Sequence, residues 1–320
     1  MADTGPPLVS VIIPTFNRPD YLRGAIETVL AQTFGDFELI VHDNHSPVDP
    51  VDVVASFGDP RIRYFRHATN VGQTANVTGA YTHVRGKYVA ILSDDDRWHP
   101  EFLATLVAPL EADASLVLAC CDHSIIDAEG HENDAVSDIV TRRWQRHRLR
   151  EGVYRPFDEV ALVYRSICTF SAAVLRRSDI EWHRIPLDMF FGLDLYLAYL
   201  AARTGKGLYY VPRRLTQFRY HENSAGNSIK RRLDRRLTNA RDAMLYWEQM
   251  LRDREIPRHK RYFEMKLGYN ALVIVLVLMR EGDWPQALRQ LRHFWADGLI
   301  RPRIVLSHLI YALRLRRANG

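Results

Sequence analysis

The sequence predicts an α/β fold, a mostly parallel sheet with helices on both faces, joined to a C-terminal helical region. Three observations carry this. Short β-branched apolar runs alternate with stretches whose apolar residues recur every three to four positions. The runs are followed by polar or acidic residues, Thr15, Asp43 and Asp94, which suits strands whose carboxyl ends meet along one ligand-binding edge. Beyond Ser228 the alternation stops and only long helical patterns remain.

In chain order, residues 8–13 read as a buried strand that Pro14 breaks. Pro19 and Asp20 open a helix in which Tyr21 and Leu22, Ala25 and Ile26, and Val29 and Leu30 repeat on one face. Residues 37–41 form the second strand and 61–65 a short third, and 74–84 are helical. The fourth strand, 87–93, begins after Gly86. Residues 100–110 are a helix with Phe102, Leu103, Leu106, Val107 and Leu110 on its apolar side.

The fourth strand runs straight into Asp94, Asp95 and Asp96. Two unit charges about 4 Å apart repel by about 1–4 kcal/mol at surface-like dielectric, so such a cluster calls for a cation or for donors. Mg²⁺ or Mn²⁺ suits it: both prefer carboxylate oxygen and commonly bridge protein acids to a diphosphate. A solvated turn leading into the helix that Pro100 and Glu101 begin fits the same residues. The turn after the first strand has no glycine-rich fingerprint and the chain no P-loop, which removes the main support for a dinucleotide oxidoreductase or an ATPase. A net charge of +5, carried by arginine without an aromatic-plus-basic motif, suits an anionic small molecule or a membrane surface and gives no nucleic-acid partner. Three cysteines in no metal spacing, and an N-terminus without a charged region followed by an apolar core, predict a reduced, cytoplasmic protein. The longest apolar run, residues 271–279, is short of the roughly 20 needed to cross a bilayer.

Four segments together resemble family 2 glycosyltransferases of the GT-A, Rossmann-like fold. They are Val11-Ile12-Ile13-Pro14-Thr15-Phe16-Asn17-Arg18, Leu39-Ile40-Val41-His42-Asp43-Asn44-His45-Ser46, Asn70-Val71-Gly72, and Gly86-Lys87-Tyr88 through Trp98-His99-Pro100. The resemblance implies that Pro14, Thr15, Asn17 and Arg18 line a nucleoside pocket, that Asp43 contacts the base, and that Asn70, Gly72 and Asn76 border the nucleotide. It implies Asp94 and Asp95 on ribose and donor sugar and Asp96 on the metal, Mn²⁺ or Mg²⁺. Two departures stand out: Asn44 replaces a second acid after Asp43, and Ser93 stands where the family's DXD-type motif often begins.

Residues 131–150 are polar and basic without apolar periodicity, either a loop over the site or a solvated insertion. A strand resumes at 168–175, a helix at 192–201 and a short strand at 207–211. Asp194, in the first turn of that helix, is either a favourable charge on the helix dipole or, by the resemblance, the catalytic base, with Leu193 replacing the family's preceding acid. His221, in Phe218-Arg219-Tyr220-His221, is either a structural histidine or, by the resemblance, a ligand of the metal or diphosphate. After Ser228 come helical patterns through Leu251, over 262–280, 284–295 and 304–315. They read as a bundle packed on the catalytic domain, or as a membrane-surface or oligomer-forming appendage.

The expected organisation is a GT-A catalytic domain over 1–228, with a nucleotide half to about 127 and an acceptor half after it, and a helical region over 229–320. The expected function is inverting, metal-dependent transfer of a sugar from a nucleotide-diphospho-sugar, a UDP-sugar, to a hydroxyl of a glycan, lipid-linked or small-molecule acceptor. The alternative is a catalytically silent nucleotide-sugar-binding module on the same fold. Peripheral membrane contact and a homo-oligomer through the C-terminal helices complete the expected partners.

Overall fold

The computed structural model describes residues 5–167, 169–221, 232–253 and 255–301. The chain forms two compact units, one of Met1–Asp188 with Leu193–Ser224, the other of Met189–Gly192 with Ala225–Gly320.

The first unit is built on a nine-stranded sheet. Strands β1 (Val9–Thr15), β2 (Phe37–Asp43), β3 (Ile62–Arg66) and β4 (Tyr88–Ile91) are parallel, in the order β3-β2-β1-β4. Every residue of β2 and β4 is buried, which is why these strands read as apolar runs instead of alternating ones. One face packs on α1 (Pro19–Leu30) through Leu22, Ala25, Ile26 and Val29, and on the α-helix Phe102–Ala112 through Phe102, Leu103, Leu106 and Leu110. The other meets α3 (Gln73–Tyr81). A one-turn helix, α2 (Val51–Ala55), precedes β3, and the Phe102–Ala112 helix is α4.

Pro14 does not break β1 as the sequence predicts; it pairs in register with His42 of β2. The reason lies in its neighbours. Even-numbered residues of β1 face β4, as the bonds from Tyr88 N–H to Leu8 O and from Leu92 N–H to Ile12 O show. Pairing with β4 ends at Ile12 and Ile91, so Pro14 turns its missing N–H to a side where no strand partner remains.

Beyond β4 the sheet is mixed. It continues through β8 (Ala173–Arg176), antiparallel to both β4 and β6 (Leu116–Ile126), then β9 (Gly207–Arg219), parallel to β6. Two short strands, β5 (Arg97–Trp98) and β7 (Gly152–Tyr154), pair antiparallel with β9. β8 starts five residues later than the sequence predicts, because Phe170–Ala172 is a 3₁₀ turn. β9 is far longer than the predicted 207–211, and its extension carries the chain to Arg219. Within 131–150, expected to be irregular, lies α5 (Asp134–Arg143), capped by the Asn133 side chain on Val136 N–H. α6 (Leu193–Ala202) follows.

The second unit contains α7 (Arg232–Arg252), α8 (Lys260–Arg280) and α9 (Trp284–Ala296). α8 packs on α7 and α9, with Trp247 against the rings of Tyr262 and Phe263. Its apolar second half is mostly buried, Leu276 excepted, which accounts for the all-round apolar pattern. The segment Pro257–Arg280 is long and apolar enough to cross a bilayer by length and composition, though half of its most apolar window is buried in the structure. Core helices of soluble proteins satisfy the same test. Among the described residues this is the one such helix; the predicted helix over 304–315 lies outside them.

Candidate functional site

The sheet order reverses at β1. The chain goes from β1 outward to β2 and β3 on one side, then returns to place β4 on the other, so the ends of β1 and β4 mark the switch point where sheets of this kind bind ligands. Thr15 and Asp94 meet there: the Thr15 hydroxyl donates to Asp94 Oδ2 at 2.8 Å and Phe16 N–H donates to the same oxygen at 3.3 Å. Arg18, at the start of α1, places Nη1 2.9 Å from both Asp94 Oδ1 and Asp95 Oδ2. Two residues past the end of β9, His221 brings Nε2 within 2.9 Å of Asp95 Oδ2. Side chains from three separate stretches therefore converge on two adjacent acids.

The cluster is not a solvated turn. Asp94, Asp95 and Asp96 are 4%, 9% and 1% exposed. Burial, with Asp95 alongside, pushes the Asp94 carboxyl up to about 6 despite Arg18 and Thr15. Burial also raises Asp96 well above the usual carboxylate range.

The three acids do different work. Asp96, the expected metal ligand, has both oxygens taken by protein donors: the Ser171 hydroxyl on Oδ2 at 2.7 Å and Arg219 N–H on Oδ1 at 3.0 Å. It pins the acid turn to β9 and to the 3₁₀ turn. Arg219 adds to this, with Nε on Asp95 O and Nη1 on Asp127 O and Ala128 O, all at 2.8 Å, and its guanidinium over the Tyr21 ring. Asp95 is the more open acid, and its Oδ2 already has a second ligand-type atom beside it, His221 Nε2. At 2.9 Å the two atoms are close enough to hold one ion together, and Arg18 Nη1 approaches the same oxygen at 2.9 Å. A carboxylate oxygen and an imidazole nitrogen suit Mn²⁺, and the carboxylate suits Mg²⁺ as well. Asp95 with His221 would thus suit a divalent ion better than Asp96, whose two oxygens already accept from Ser171 and Arg219. Another acid–histidine grouping, Asp127, Glu129 and His131, is exposed, and Asp127 Oδ1 is occupied by three backbone N–H groups of its own turn.

The residues expected on the nucleoside side fall into a second network. Asp43 ends β2 opposite Thr15, fully buried, and accepts from Ser46 N–H and the Ser46 hydroxyl. Arg66 Nη1 lies 3.2 Å from it. Ser46 Oγ in turn accepts Asn17 N–H at 2.8 Å, which ties the β1 loop, with Asn17 in the left-handed region at φ 55°, to the β2 loop. Asn44 donates to Asn70 Oδ1 at 3.0 Å and accepts Val71 N–H at 2.9 Å, so the residue replacing an acid orders the loop holding Asn70 and Gly72. Gly72, at φ 88°, starts α3. Asn76 faces elsewhere: it is buried and bonded through both side-chain ends to His42.

Asp194 opens α6 with a partly solvent-facing side chain. Its Oδ1 accepts Phe170 N–H at 2.9 Å, and desolvation pushes its carboxyl up to about 6. Phe170 precedes Ser171, the donor on Asp96, so one peptide link joins the anchor of Asp194 to the anchor of the acid turn.

Sequence reasoning missed Ser171, Arg219, Tyr21, Ser46 and Asn44. Arg219 carries a signal beside His221, and Asn44 one as the residue in place of an acid; the others act through partners far along the chain, 75 residues for Ser171 on Asp96 and 198 for Tyr21 under Arg219.

The family model described as glycosyl transferase family 2 matches residues 10–180. An uncharacterized glycosyltransferase of Rickettsia prowazekii is 32% identical over 126 residues, 39% of this chain and 39% of that protein. A GalNAc(5)-diNAcBac-PP-undecaprenol beta-1,3-glucosyltransferase of Campylobacter jejuni is 34% identical over 128 residues, 39% of this chain and 40% of that protein. The match thus spans about two fifths of the length of these relatives. Among solved structures, S. aureus TarS (residues 1–349) in complex with UDP-GlcNAc superposes with a TM-score of 0.63 at 15% identity, covering 87% of this chain and 81% of that one. The mannosyltransferase PcManGT of Pyrobaculum calidifontis, in complex with GDP-Man and Mn²⁺, superposes at 0.58 and 20% identity, covering 98% and 81%. At these identities what is shared is the fold, which is GT-A.

Proposed function

The chain belongs to glycosyl transferase family 2, whose model spans more than half of it, and on that premise we propose that it is an inverting, divalent-metal-dependent glycosyltransferase acting on a nucleotide-diphospho-sugar. One observation carries the reading: Asp95 Oδ2 lies 2.9 Å from both His221 Nε2 and Arg18 Nη1, beside an Asp94 fixed by Thr15 where the sheet order reverses. Asp95 and His221 would hold Mn²⁺ or Mg²⁺, which supplies positive charge to the departing diphosphate.

The chain's own residues do the rest. Asp94, held in one orientation by Thr15 and Arg18, presents its carboxylate to ribose and donor-sugar hydroxyls. The Asp43 and Asn17 loops, clipped together by Ser46, wall the base, for which we propose uracil. Asp194 takes the proton of the acceptor hydroxyl as that oxygen attacks the anomeric carbon. A carboxyl at about 6 suits this task, because it is ionised near neutrality yet more basic than an ordinary acid. A single displacement inverts the anomeric centre.

A panel of nucleotide sugars screened by thermal shift, with and without Mn²⁺, tests donor binding. A donor at 100 times its dissociation constant stabilises by about 2.7 kcal/mol, a rise of roughly 5–10 °C for a unit of this size. A UDP-sugar is expected to give the largest shift, reduced by EDTA. A panel without a response, or a response indifferent to EDTA, would count against the reading.

A further inference from the structure

Helix α9 carries two apolar faces, one buried and one open. At about 100° per residue, Ala287 and Phe294 share one side of the helix and are 0% and 4% exposed. Trp284, Leu288 and Trp295 fall together on an adjacent stripe and are 55%, 47% and 61% exposed, with half-buried Leu291 between the two faces. Along the stripe's other flank, Arg289 and Arg292 are exposed. α9 contains no acid; those next to its ends are engaged, Asp283 capping Gln286 N–H and Asp297 lying 3.5 Å from His293.

Buried, open-apolar and basic faces in that order suit a helix lying in a membrane interface. Indoles sit at headgroup level, and arginines reach lipid phosphates. The basic flank decides between occupants. In a two-fold contact with a second copy the same arginines would be brought toward each other, which costs affinity. An anionic lipid surface pairs them. We propose that α9 docks the protein on an anionic membrane through Trp284, Leu288 and Trp295, flanked by Arg289 and Arg292. Docking stands on α9 alone; its consequence, a lipid-linked acceptor presented at that surface, rests on the proposed glycosyl transfer.

The test uses the full chain and vesicles of phosphatidylcholine with or without about a third phosphatidylglycerol, near physiological ionic strength. Co-sedimentation is read without donor, and donor hydrolysis is read separately in vesicle-free solution, so failure of docking and failure of the enzymatic reading are distinguishable. Expected are at least tenfold tighter binding to anionic vesicles, weakening with salt, and tryptophan quenching by brominated lipid. Trp284→Ser with Trp295→Ser, and Arg289→Glu with Arg292→Glu, should each cut binding at least tenfold with melting temperature and solution hydrolysis unchanged. Wild type that ignores anionic vesicles, folded variants that bind as wild type does, or a wild-type dimer that the tryptophan variant dissolves would each overturn the proposal.

Discussion

Replacing Asp194 by Asn should make the protein more stable and far less active at once. The carboxyl rises from an ordinary value of 3.8 to about 6 because folding desolvates it. The folded state therefore holds this proton more tightly than the unfolded chain does. Between about pH 4 and pH 6 the native state binds more protons, so stability falls as pH rises through that window and stays low above it. Two pKa units correspond to about 3 kcal/mol; the side chain keeps a solvent-facing edge, so about 1–2 kcal/mol is the realistic magnitude. Asparagine keeps the oxygen that accepts Phe170 N–H and removes the charge. Asp194→Asn should thus melt about 2–6 °C higher than wild type at pH 7.5, and the difference should vanish near pH 4. Turnover should fall by 10² to 10⁴ and lose the acid limb that wild-type activity shows near pH 6, while donor affinity changes less than tenfold. Parallel thermal melts, single-turnover kinetics and donor titrations read all of this. A variant less stable than wild type at pH 7.5, or one that retains turnover, refutes the reasoning.

Asp95 and Asp96 should separate metal binding from architecture. Asp95→Asn should abolish Mn²⁺-dependent turnover with stability changed by about 1 kcal/mol or less, whereas Asp96→Ala should cost about 1–3 kcal/mol by orphaning Arg219 N–H and the Ser171 hydroxyl. Isothermal titration with Mn²⁺ and urea melts distinguish the two. Arg219→Lys loses a fork that reaches three carbonyls and should destabilise by about 1–3 kcal/mol while lowering donor affinity, measured by the same melts and by donor titration. In the second unit, Asp242 accepts the N–H groups of Phe190 and Phe191 at 3.1 and 2.7 Å; Asp242→Ala should cost about 1–3 kcal/mol and accelerate amide exchange at those two positions.

The legible parts of the sequence were those whose burial is apolar. β1, α1, β2, β4 and α4 show their periodicity directly because the side chains they bury in the core are apolar. β6 is buried along all eleven residues, but its sequence shows no continuous apolar run, because Asp122, His123 and Ser124 interrupt it. Their burial is offset from afar: Arg146 lies 2.8 Å from His123 Nδ1 and bonds Asp122, and Thr141 donates to Asp122 at 2.7 Å. α5 was illegible for the opposite reason, burying only Ser137 and standing on its Asn133 cap and the Arg214–Asp138 ion pair. At the site, the acid cluster was visible as three letters, but the division of labour within it was not. Asp96 is occupied by residues 75 and 123 positions away, a relation set by how β9 returns beside the acid turn.

Asp95 and His221 would hold the divalent ion that supplies positive charge to the departing diphosphate. Release of nucleoside diphosphate from the donor that gives the largest thermal shift tests it most directly. Release should need Mn²⁺ or Mg²⁺, stop with EDTA, and be lost in both Asp95→Asn and His221→Ala, while Asp96→Asn keeps measurable ion binding. Release that persists in EDTA, or that survives in Asp95→Asn and is abolished with ion binding in Asp96→Asn, would contradict it.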